Sequence, residues 1–194
     1  MRRRVEVALA LLLIAGLGCD EDNPFRNVSS IVTTGESQVW ELSLSGFPSA
    51  WDFPSAQRIF IGADGFSSSV GNWLLDARSD GTLILRPFSS LVPVALTRTG
   101  IRDLGPVDFH SVIEVPDNGY SAIDDSTGVP VVEGHVYAFR ISRLSAGVIP
   151  INYAKVRIIE AGTEFSDDPR SRFVRFEWSY QSQPLNRRVE EQEG

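Results

Sequence analysis

Apolar side chains recur at every second position through most of this chain, and that period dictates strands rather than helices. Across residues 172–180, Val174, Phe176, Trp178 and Tyr180 alternate with Phe173, Arg175, Glu177 and Ser179. Successive side chains on an extended backbone point to opposite faces, so such a segment buries one face and wets the other. In 135–143, His135, Tyr137, Phe139 and Ile141 oppose Val136, Ala138, Arg140 and Ser142. In 153–160, Ala154, Val156 and Ile158 oppose Lys155, Arg157 and Ile159, and in 39–45, Trp40, Leu42 and Leu44 share a face. Shorter candidate strands are 58–61, 73–77, 82–86, 92–96 and 109–115.

The punctuation agrees with the period. Ser79-Asp80-Gly81 lies between two candidate strands and predicts a hairpin, since glycine supplies the positive φ that tight turns require. Asn118-Gly119, Asp64-Gly65 and Ser126-Thr127-Gly128 are further turn signals. Prolines at 48, 54, 87, 93, 116, 130 and 150 break the chain too often for long helices. The expectation is one all-β domain, an antiparallel β-sandwich or a partly open β-barrel.

The N-terminus carries a different signal. Arg2, Arg3 and Arg4 precede an apolar run that reaches Leu17, followed by the small residue Gly18 and then Cys19. A charged start, a short apolar stretch and a small residue at the cut describe a secretion signal. The run is shorter than the ~20 residues that span a bilayer. Gly18-Cys19 resembles the bacterial lipobox, which implies cleavage after residue 18 and lipid attachment to Cys19. Cys19 is the only cysteine, and lipidation would consume a thiol that otherwise stands unpaired in an exported protein.

The organisation expected is a signal peptide at 1–18, a lipidated cysteine with a flexible tether at 19–36, the all-β domain at 37–184, and a disordered charged tail at 185–194. The signal removes three arginines and one glutamate, so the formal charge moves from −7 to −9 on cleavage. Nucleic-acid affinity comes largely from neutralising phosphates, so nucleic acid is excluded as an expected partner. Membrane contact is expected through the lipid, not through a basic patch.

Chemical motifs are sparse. A histidine mechanism would need His110 or His135, the only two imidazoles. Asp108, His110 and Ser111 are close in sequence, but strand neighbours face opposite ways, so no nucleophile–base–acid line is implied. Gly65-Phe66-Ser67-Ser68-Ser69 lacks the closing glycine of a nucleophile elbow. Asp124-Asp125 and Asp167-Asp168 read as solvated turn acids in preference to a calcium site. Trp40 and Trp178 read as core residues in preference to a stacking platform. The domain is therefore expected not to be an enzyme.

Four segments together carry a family resemblance: Ala50-Trp51-Asp52-Phe53, the run from Gly134 to Arg140, the run from Asn152 to Ile158, and the strand at 172–180 followed by Gln181. In that order, behind a lipobox, they resemble the HmuY-like lipoproteins, an all-β family whose members include surface haem-capture proteins. The resemblance implies haem or a related porphyrin as a cofactor-like ligand but carries over no iron ligand; His110 and His135 are the candidates because they are the only imidazoles and paired histidines commonly hold haem iron. The expected function is that of an exported, lipid-anchored envelope protein binding a porphyrin at the outer membrane or cell surface. The alternative is an envelope module that holds another protein and takes no small molecule.

Overall fold

The computed structural model describes residues 32–61, 71–92, 95–144 and 149–190. The signal segment, Cys19 and the Gly65–Ser69 stretch lie outside the described residues. In chain order the strands are β1 (Val32–Trp40), β2 (Ala50–Asp52), β3 (Gln57–Ile59), β4 (Trp73–Ala77), β5 (Leu83–Pro87), β6 (Thr97–Gly105), β7 (Val129–Pro130), β8 (Val136–Arg143), β9 (Ile151–Thr163) and β10 (Arg172–Gln181). They form two antiparallel five-stranded sheets, ordered β1-β10-β9-β8-β6 and β3-β2-β4-β5-β7. Neither sheet closes on itself, which decides for the sandwich over the barrel.

The alternation seen in the sequence explains the core between the sheets. Tyr137, Phe139 and Ile141 from β8, Ala154, Val156 and Ile158 from β9, and Val174, Phe176, Trp178 and Tyr180 from β10 pack on one side. Trp51, Phe53, Trp73, Leu75 and Leu85 meet them from the second sheet. Trp51 sits edge-on to Phe176 and 5.4 Å from Trp178, between ring centroids. Trp51, Trp73 and Trp178 are thus core residues, and Trp40 packs against Phe47 at 5.1 Å. The hairpin at Ser79-Asp80-Gly81 forms as expected, with Gly81 at φ +86° and β4 paired to β5.

Several expectations need correction. The strand expected at 39–45 ends at Trp40, because Glu41 to Ser45 turn away toward the second sheet; Leu42 N–H donates to the Leu75 carbonyl. The segments at 92–96 and 109–115 are not strands among the described residues. β6 was invisible to hydropathy because two of its buried positions are Thr97 and Thr99. Residues 32–36, expected in the tether, form the first half of β1.

The C-terminal expectation fails most informatively. Leu185 to Glu190 is not a disordered tail but packed structure. Val189 is fully buried, its N–H donates to the Ile113 carbonyl, and Val115 N–H donates to the Arg187 carbonyl. Ser179 Oγ donates to the Val189 carbonyl and Gln181 Nε2 to that of Arg188. This segment and the long connection after β6 cover the outer face of the first sheet, where Val115, Ala138, Tyr153 and Val189 make a second apolar layer. Residues 191–194 lie outside the described residues.

Candidate functional site

Lys155 holds that outer layer together. Strand alternation turns it away from the main core, onto the face covered by the two irregular segments. Its side chain is fully buried. The ammonium donates to the carbonyls of Phe109 (2.7 Å) and Val112 (3.0 Å) and to Glu190 Oε2, and it lies 4.2 Å from the centre of the Phe109 ring. Three acceptors surround one nitrogen and take all three donors of the lysine ammonium, whereas a guanidinium spreads its five N–H groups in a plane over three nitrogens. Burial pulls the Lys155 pKa down, against the opposing pull of Glu190.

Beside this anchor, toward the β1 edge, lies a cleft of about 700 Å³ lined by Val32, Thr34, Glu36, Phe109, His110, Glu177 and Glu190, with Gly35 and Trp178. Register explains the membership. Val32, Thr34 and Glu36 of β1 stand opposite Gln181, Ser179 and Glu177 of β10 on the outer face. Gly35 and Trp178 pair between them and are turned toward the core by the same alternation.

The cleft is acidic. Glu36 and Glu177 are directly cross-strand, a like-charge juxtaposition that costs stability. Arg157 relieves one of them at 2.5 Å from Glu177. Burial pushes the Glu177 carboxyl above its ordinary pKa; Arg157 and His110 oppose this, while Glu36 adds to it. Glu36 is exposed and has no ion-pair partner among the described residues.

The two histidines go to different places. His110 is largely exposed at the cleft, with Nδ1 3.0 Å from Glu190 Oε1. His135, just before β8, has Nδ1 3.0 Å from Asp103 Oδ2 and does not line the cleft. The structure brings neither into a shared pocket. Of the paired acids, Asp125 accepts from the Thr127 N–H and hydroxyl, and Asp168 pairs with Arg170. Among the described residues no three acids, histidines or cysteines cluster as metal ligands. Asp108 accepts from Ser111 N–H within a turn, while His110 turns to Glu190, so the three sequence neighbours make no catalytic relay.

No protein-family model, curated protein or solved structure matches the chain. The site therefore rests on its own geometry. The residues missed by sequence reasoning are Lys155, Glu36, Glu177 and Glu190. One signal was available: Lys155 is the only lysine among 18 basic residues, so something other than charge selected it. The three glutamates gave no signal, because they are far apart in the chain and are joined by strand register and by docking of the C-terminal segment.

Proposed function

We propose that this is an exported protein, anchored to the cell envelope by lipid on Cys19, whose sandwich is a non-catalytic domain for holding a basic partner protein. The observation that carries the binding reading is the cleft where Glu36, Glu177 and Glu190 converge: Arg157 pairs with Glu177, Lys155 and His110 pair with Glu190, and Glu36 has no ion-pair partner among the described residues. Two opposite charges at ~4 Å gain ~1 kcal/mol in water and ~4 kcal/mol in a surface cleft of lower effective dielectric. Several together favour a cationic segment and disfavour an anionic ligand. A fluorescein-labelled deca-lysine peptide should bind saturably in 30 mM salt and at least fivefold more weakly in 150 mM salt. Glu36→Gln with Glu177→Gln should weaken it by a similar factor. Equal binding of deca-glutamate would sink the reading. The anchor has its own test: mass spectrometry of the native N-terminus should find diacylglycerol on Cys19, and Cys19→Ala should move the protein to the soluble fraction.

A second reading, the porphyrin receptor implied by the HmuY-like resemblance, has one favourable observation. Both imidazoles rest Nδ1 against a carboxylate, at 3.0 Å in each case, which is how metal-ligating histidines are commonly oriented, with Nε2 left for the metal. The fit is partial, since haem propionates would meet the cleft carboxylates and His135 lies outside that cleft. Hemin titration should then give a saturable Soret shift that His110→Ala abolishes. A shift untouched by His110→Ala and His135→Ala would remove both as ligands.

A further inference from the structure

Four strands end the two sheets, and three of them offer a partner little. β3 has three residues and β7 two. β6 is covered: Ser121 N–H donates to the Ile101 carbonyl, Ser121 Oγ accepts from Ile101 N–H, and the Tyr120 Cβ would come within 2.8 Å of a Cβ placed on Gly100. β1 is different. It runs nine residues, Thr33 to Glu36 are exposed, and it pairs on one side only.

The direction of its free backbone groups can be read from the register. Trp40 N–H donates to the Pro48 carbonyl, away from β10, whereas Glu41 N–H donates to Arg172 on β10. Alternation by two then turns the N–H and C=O of Thr34, Glu36 and Gln38 outward from the sheet. None of these groups has a hydrogen-bond partner among the described residues. Long exposed edges are normally blunted by charged side chains, proline or a bulge; β1 has no proline or bulge, and its one charge is Glu36. Its outer face is also the wall of the acidic cleft.

We propose that β1 is a strand-addition site for an extended segment of a partner protein bearing lysine or arginine at alternate positions. Backbone pairing with Thr34, Glu36 and Gln38 would supply affinity, and the alternate cations would enter the cleft beside Glu36 and Glu177. The charge selects this occupant. A second copy would bring its own β1, which carries Glu36 and no cation. Between Cys19 and β1, the part left by the proposed cleavage, the sequence offers Arg26 against Asp20, Glu21 and Asp22, and residues 191–194 add two more glutamates. Neither of these segments of the chain complements the cleft. This inference rests on the basic-partner reading and specifies how the partner is held.

The test uses the lipidated protein in neutral detergent and a labelled nonapeptide, Lys-Val-Lys-Thr-Lys-Val-Lys-Thr-Lys. Binding should slow hydrogen exchange at least tenfold at the amides of Thr34, Glu36 and Gln38. The amides of Thr33, Gly35 and Ser37, already paired to β10, should change little. Thr34→Pro removes one outward donor at a position where an edge strand tolerates proline. It should weaken the nonapeptide at least tenfold while leaving deca-lysine within threefold. If Thr34→Pro does not fold, the exchange pattern of the native chain decides alone. Tight binding without the alternating protection would overturn strand addition and leave the acidic cleft standing. Absence of saturable binding by either peptide would overturn both.

Discussion

Glu190→Gln should destabilise the domain by about 3 kcal/mol in urea unfolding, or roughly 6–12 °C in Tm for a domain of this size. The substitution leaves the buried Lys155 ammonium with two carbonyls but without its counter-charge. Lys155→Arg should fail to restore the native arrangement, because a guanidinium cannot present three donors to acceptors placed around one nitrogen. Lys155 also reports on its own exposure. It is the only side-chain amine in the protein, so an amine-reactive reagent should label it slowly in the native chain and quickly in Glu190→Gln. A loss below 1 kcal/mol with unchanged labelling would mean that the ion pair is not what pins the C-terminal segment.

The same pair sets a pH dependence with a definite sign. Burial raises the Glu190 pKa, but hydrogen bonds from Lys155 and His110, with their charges, outweigh it and hold the carboxyl below its ordinary value. A depressed carboxylate contributes its full stability above the unfolded pKa and loses it as pH falls through the folded one. The native domain should therefore lose stability more steeply than Glu190→Gln below the ordinary carboxylate pKa. Lys155, depressed by burial despite Glu190, acts in the alkaline range. There the folded chain releases its proton before the unfolded chain does, so this residue's contribution rises with pH until the unfolded lysine also titrates.

Trp73→Ala should cost about 3–5 kcal/mol, the range for deleting a fully buried aromatic. Trp73 is at 0% exposure, with its ring 5.1 Å from Phe176 and 6.0 Å from Phe139, so it joins both sheets. Trp73→Phe should cost only about 1 kcal/mol. It keeps most of the apolar contact and removes an indole N–H that is buried without a hydrogen-bond partner among the described residues, a burden of about 1–3 kcal/mol in its own right. Urea unfolding of the two variants checks the contrast. Equal losses would show that the indole N–H has no cost, or that the cavity left by Phe collapses poorly.

How much of this was legible beforehand can be followed residue by residue. β8, β9 and β10 were readable because their buried positions are large and apolar and recur every second residue. β6 was not, because Thr97 and Thr99 fill its buried positions and threonine carries little hydropathy signal. Residues 185–190 looked like a tail because four of the six are polar or charged, while of the two apolar ones Leu185 is exposed and Val189 alone is fully buried. A single anchoring side chain leaves no period to detect, and the partners that satisfy the segment's backbone lie on distant strands.

The sequence by itself determined the strand class, the inward-facing residues of the long strands and the Ser79-Asp80-Gly81 hairpin. These depend on neighbours a few positions apart, through side-chain alternation and local backbone preference. Only the tertiary structure decided that two open sheets stack instead of one closing, and that β1 is left at a free edge. It also decided that His110 and His135 take separate carboxylates and that the lone lysine is buried under residues 185–190. Those outcomes depend on pairing register and on contacts between residues distant in the chain, as when Glu36 meets Glu177, 141 positions away, across β1 and β10. No local pattern encodes such a meeting, because its energy exists only once the sheet has formed.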